Sequence, residues 1–100
     1  MTSSFTRHLE QDARLVMLTE LYRQPAGRLS EAGLEQALMA FGHDRSRDWT
    51  RTQMREMEEL GAIVLTEAHT VLIAQITKAG VKHVLRQSKI EGIKEPVVGV

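Results

Sequence analysis

The chain has 100 residues, 42% hydrophobic and 26% charged, and its 13 basic and 13 acidic residues give a formal net charge of zero. That is the size of one domain with a modest core, or of one domain with a tail. The lack of cysteine excludes a disulfide framework, thiolate metal sites and a cysteine nucleophile. Neutrality argues against sequence-independent nucleic-acid binding, which needs a basic surplus.

No apolar run approaches the roughly 20 residues of a membrane span. The start, Met1 to His8, lacks the apolar segment of a secretory signal. A cytoplasmic protein is therefore expected. Aromatic residues make up only 4%, so the core must be aliphatic and methionine-rich.

Residues from about Phe5 to Gln24 read as a long helix. Leu9, Ala13, Val16, Met17 and Leu21 form a wide apolar stripe, and Leu15, Leu18 and Tyr22 lie on the other side. A helix apolar around most of its circumference is buried around most of it. A monomer this small provides little to cover it. Leu9, Leu15, Leu18 and Tyr22 are therefore expected at a homodimer interface, with Val84 and Leu85 of the last helix. The alternative leaves Leu15 and Tyr22 half-exposed on a monomer.

Pro25 and Gly27 end this helix, and Arg28-Leu29 reads as a short connector. Ser30 caps a second helix, Glu31 to Phe41, with Leu34, Ala37, Leu38 and Phe41 at helical spacing. Gly42 stops it. After the short link His43-Asp44-Arg45, Ser46 caps a third helix that runs to Leu60, where Gly61 supplies a left-handed stop. Thr50, Met54 and Met57 point into the core. Arg47, Arg51 and Arg55 recur every four residues beside Thr52 and Gln53.

Two short helices joined tightly, the second bearing arginines, form the helix-turn-helix pattern. Arginine can fork onto guanine edges or onto phosphates. Arg45, Ser46, Arg47, Thr50, Arg51, Thr52 and Arg55 are accordingly the expected DNA-binding residues. The acids Glu56, Glu58 and Glu59 come late in the helix, away from the phosphates. The competing reading is a solvated face of ion pairs. One continuous positive face over Arg47, Arg51 and Arg55 spanning both subunits of a dimer would favour DNA; arginines folded onto Asp44, Asp48 and Glu58 would favour a protein partner. Trp49 is either a stacking anchor or packing against the second helix.

After Gly61 the period shortens. Ala62–Glu67 and Thr70–Ile76, broken at Ala68-His69, read as a β-hairpin. No Lys or Arg lies between Glu56 and Thr77, so this hairpin offers DNA at most His69. Thr77 caps a last helix, Lys78 to about Gln87, with Ala79, Val81, Val84 and Leu85 inward. Periodicity is lost from Ser88. Residues 1–88 read as the domain and 89–100 as a C-terminal tail, which Ile93, Val97 and Val98 suggest is docked. The fold class is mainly α with a small β-hairpin, in winged helix-turn-helix order.

His8, His43, His69 and His83 form no pair at metal-ligand spacing, and no metal or cofactor is expected. Asp12, Glu20, Glu31, Glu35 and Glu58-Glu59 read as a solvated or ion-paired surface. No catalytic motif is present, so an enzyme is not expected.

Two strings carry a resemblance. Asp12-Ala13-Arg14-Leu15-Val16-Met17 resembles the opening of the first core helix in ArsR-type winged-helix repressors. Met57-Glu58-Glu59-Leu60-Gly61-Ala62-Ile63-Val64 resembles the junction between recognition helix and wing in ArsR- and MarR-type regulators. Over nearly the whole chain the sequence resembles the small ArsR-like winged-helix proteins of Mu-like phages and prophages. That likeness is carried by Phe5 to Leu15, Ala40-Phe41-Gly42-His43, Ser46-Arg47-Asp48, Arg51-Thr52, Leu60-Gly61 and Gly92 to Pro96. It implies a phage-encoded protein that binds double-stranded DNA, most simply a homodimeric transcription regulator. A protein-interaction module or a DNA-packaging accessory is the alternative. The cysteines or paired ligands of metal-sensing ArsR proteins are missing, and His83 stands alone on the last helix.

Overall fold

The computed structural model describes residues 3–97. Within them the chain forms α1 (Ser4–Arg23), β1 (Arg28–Ser30), α2 (Glu31–Ala40), α3 (Arg47–Glu59), β2 (Ile63–Ala68), β3 (Val71–Ile76) and α4 (Lys78–Val84). The strands make an antiparallel sheet in the order β1-β3-β2. No helix among the described residues is long and apolar enough to cross a membrane.

Local chemistry sets the helix starts. Ser3, Ser30, Ser46 and Thr77 each accept a hydrogen bond from a first-turn amide, those of Thr6, Gly33, Trp49 and Gly80. Such a cap contributes about 1 kcal/mol by satisfying an amide the helix leaves unpaired. At the end of α3, Gly61 turns the chain with a φ of 83° and Ala62 donates back to the Met57 carbonyl.

The connector Arg28-Leu29 proves to be part of a strand. Arg28, Leu29 and Ser30 pair with Gln75, Ala74 and Ile73. Three residues between a turn and a helix cap are too few to display a period; the open side of β3 makes them a strand. The hairpin forms as expected, but its turn is His69-Thr70, one residue later, with His69 at a φ of 58°.

The core joins Met17, Leu18 and Leu21 of α1 to Leu34 and Leu38 of α2, Met54 and Met57 of α3, and Ile63 and Leu72 of the sheet. Leu18 corrects one expectation: it is fully buried within the single chain and cannot serve a dimer interface. Contacts from α2, α3, α4 and β3 all fall on α1, so its buried arc is wider than one stripe. A second correction concerns α4. Its buried residues are Gly80 and His83, whereas Ala79 and Leu85 face solvent. The helix ends at Val84, short of the expected Gln87, and Arg86 takes a φ of 62°, so Leu85 at the end of the expected stripe has no helix to follow.

After Ser88, the segment from Ile90 to Lys94 packs back on the domain, and Ile93 is buried. His83 is the fastener. Its Nδ1 accepts from the Ile90 amide at 3.0 Å, which leaves the proton on Nε2 to be donated to the Lys94 carbonyl at 2.9 Å. Arg14 Nη1 donates to the Gly92 carbonyl at 2.9 Å, and the Lys94 amide donates to the Gln11 carbonyl at 3.2 Å. Lys94 Nζ and His43 Nε2 both reach Asp12, at 3.1 and 2.7 Å. Burial alone would raise the Asp12 pKa, but these two hydrogen bonds outweigh it and hold the carboxyl below its ordinary range. Of the apolar tail residues, Val97 is 65% exposed, and Val98 lies outside the described residues.

Candidate functional site

The α3 helix carries buried Thr50, Gln53, Met54 and Met57 on one side and the arginines on the other. Its packing against α2 and β2 decides what each polar side chain can do. Arg47 Nε donates to Glu35 Oε1 of α2 at 2.8 Å, with Arg47 57% exposed. Arg55 lies 3.9 Å from Glu67 of β2, and both side chains are mostly in solvent. Arg45 stacks its guanidinium 4.3 Å from the centroid of the half-buried Trp49 ring. Thr52 is exposed, its hydroxyl donating to the Asp48 carbonyl.

Arg51 is bound differently. Its Nε and Nη2 fork onto Glu31 at 2.5 and 2.8 Å, and Nη2 also reaches the Thr70 carbonyl in the hairpin turn. Glu31 is only 1% exposed, and its Oε1 accepts a third hydrogen bond, from the Leu72 amide at 2.8 Å. The Arg51 hydrogen bonds are the main reason the Glu31 pKa falls from 4.5 to about 2; burial opposes them and the Leu72 amide adds to them.

Of the seven residues expected to face DNA, Arg45, Arg47, Thr52 and Arg55 are each solvent-exposed. Thr50 is fully buried, with its hydroxyl on the Ser46 carbonyl, and so is turned away from any ligand. The Ser46 hydroxyl caps the helix. Gln53, read as part of the polar row, is also buried; it accepts from Arg14 Nε at 2.9 Å and ties α3 to α1. The acids that ion-pair with the arginines are Glu35, Glu31 and Glu67, and not Asp44, Asp48 or Glu58. Glu58 instead accepts from the Leu65 amide on the outer edge of β2. The roles of Glu31 and Glu35 were hidden because only the docking of α2 on α3 brings them to the arginines. Their one signal in the sequence is spacing: four residues apart on α2, like Arg47 and Arg51 on α3.

Elsewhere, Leu15, Thr19, Val84, Leu85, Pro96 and Val97 line a shallow groove beside α1. Leu9, Leu15 and Val84 are half-buried, and Tyr22 and Leu85 are 42% and 43% exposed. Among the described residues no three His, Asp or Glu side chains converge as metal ligands. No protein-family model matches the chain, and no match was found among curated proteins or solved structures.

Proposed function

We propose that the chain is a winged helix-turn-helix protein that binds specific double-stranded DNA sequences through α3, as a cytoplasmic phage or prophage transcription regulator. The supporting observation is the outer side of α3. Arg45, Arg47, Thr52 and Arg55 are exposed along it; Asp48 is the one acid of the first turn, and Glu56, Glu58 and Glu59 follow in the C-terminal half. In helix-turn-helix docking the N-terminal half of the recognition helix enters the major groove.

Ion pairing weighs differently on different arginines. An exposed pair such as Arg47–Glu35 contributes little, so a phosphate or guanine edge displaces Glu35 at little cost. The 3.9 Å Arg55–Glu67 contact is weaker still. Replacing Arg45, Arg47 and Arg55 together by alanine should therefore abolish an electrophoretic shift on duplexes selected by the wild type, with the melting temperature almost unchanged. Retained binding in the triple variant would sink the assignment of these residues.

The neutral charge makes a second copy important, because one α3 offers few contacts. We place the dimer contact at the α1–α4 face, through Leu9, Leu15, Tyr22, Val84 and Leu85. Two recognition helices about one DNA turn (~34 Å) apart then read a two-fold-symmetric site. Sedimentation should show a dimer at tens of micromolar, and a monomer at that concentration removes this part of the proposal.

The second reading is a protein-interaction module or packaging accessory. The acid partners on three of the four arginines favour it, as does the hairpin without Lys or Arg.

A further inference from the structure

We infer that Arg51 is a positioning residue, which fixes the β2–β3 hairpin against α3 through Glu31 and does not itself contact DNA. The functional half of this inference rests on the DNA-binding reading above; the structural half does not.

The geometry begins with the sheet. β1 pairs with β3 only as far as Ser30 opposite Ile73. One residue further, the backbone at Glu31 has turned into α2. The Leu72 amide, which a longer β1 would have engaged, is met by the Glu31 carboxylate. The side chain thus continues a ladder that its own backbone has left. A buried carboxylate with one amide donor would be poorly satisfied. Arg51 supplies two further donors in a planar fork, and its Nη2 goes on to the Thr70 carbonyl at the hairpin turn. One guanidinium therefore joins α2, α3 and the hairpin.

Arg51 and Arg47 lie four residues apart on one helix, and only burial separates their roles. If Arg47 leaves Glu35, the carboxylate remains 24% exposed and is rehydrated. If Arg51 leaves Glu31, a carboxylate that is 1% exposed is orphaned. A phosphate contact does not compensate for that. The hairpin, lacking Lys and Arg, contributes to binding through where it is held.

The dependence of DNA affinity on salt separates a strut from a contact. Removing a phosphate contact lowers the slope of log K against log salt by about 0.9. For R51A and E31Q we expect similar losses of DNA affinity, roughly tenfold, with the slope unchanged; R47A should lower the slope. Hydrogen exchange on the free protein supplies a second readout. Protection of the Leu72 amide should fall at least tenfold in both R51A and E31Q. If R51A does not fold, R51K replaces it with the same expected signs, since lysine keeps the charge but not the fork. A reduced slope in the Arg51 variant with unchanged affinity in E31Q would overturn the inference and make Arg51 a phosphate contact. Should the wild type bind no duplex, the DNA-binding reading fails. The strut is then judged by exchange alone, and unchanged Leu72 protection in the Arg51 variant overturns it.

Discussion

Glu31→Gln should destabilise the protein by about 3 kcal/mol at pH 7 and remove much of its sensitivity to acid. The folded carboxyl titrates at about 2, against an ordinary value of 4.5. A depressed carboxylate pKa stabilises the fold fully above the unfolded value; the stabilisation is lost as pH falls from there through the folded value. At roughly 1.4 kcal/mol for each pKa unit, the difference corresponds to about 3 kcal/mol. The loss should fall between about pH 4.5 and pH 2. Glutamine can still accept from Leu72 but gives Arg51 no charge to pair with, and breaking one side of a buried pair costs about 3–5 kcal/mol in general. Urea titrations at pH 7 and pH 3 check both parts. Wild type should lose most of the difference between the two pH values, and the variant should begin lower and lose less. Equal stability of the two proteins at pH 7 would show that Glu31 is not held as described.

Gly80→Ala should be destabilising even though it exchanges glycine for alanine inside a helix. Propensity alone favours alanine by about 1 kcal/mol. Here a Cβ would lie 2.4 Å from the Ala62 carbonyl oxygen, 2.8 Å from Ile76 Cγ1 and 3.1 Å from Leu18 Cδ1. The first of these is backbone and cannot rotate away. It is also the oxygen that accepts the Thr77 amide at 3.0 Å, while the Thr77 hydroxyl donates to the neighbouring Gly61 carbonyl at 2.7 Å. Relieving the overlap means lifting α4 from the Ala62 backbone just before β2 and stretching the amide bond. Overpacking of this kind costs about 1–3 kcal/mol, and more where hydrogen bonds go with it. We expect a net loss of about 1–2 kcal/mol by thermal melting. Ala79→Gly, one residue away on the exposed side, should lose only about 1 kcal/mol. A higher melting temperature for Gly80→Ala would mean that α4 does not press on the Ala62 carbonyl as described.

These two residues mark where the sequence stops being legible. Helix starts at Ser30, Ser46 and Thr77 could be read because a hydroxyl cap is a local event. The core positions Leu34, Leu38, Met54 and Met57 could be read because their period is local too. Glu31 reads in the sequence as part of a solvated or ion-paired surface; it is ion-paired but buried, since nothing nearby in the chain reveals that α3 and β3 close over it. Gly80 lay inside an apolar pattern drawn through Ala79 and Leu85; the close approach of Ala62 set the true rotation of α4. β1 was missed for the same reason, being a strand only by virtue of β3. Leu18 was placed on an interface because α1 is apolar on more than one side, and the chain's own helices cover that side.

The candidate site divides along the same line. Arginine spacing located the outer side of α3, but spacing treats Arg47 and Arg51 alike. Exposure separates them, leaving Arg45, Arg47, Thr52 and Arg55 as the groups available to a ligand. Neutral overall charge then makes local geometry decisive, because no general basic field assists binding.

We propose that this outer side of α3 meets DNA. Amide chemical-shift mapping of the folded protein, titrated with a duplex it selects, tests that most directly. Shifts concentrated at Arg45 to Arg55 and at the His69-Thr70 turn, diminishing as salt is raised, are the predicted result. Shifts confined to the groove beside Leu15, Val84 and Val97, or no shifts with any duplex, would contradict it.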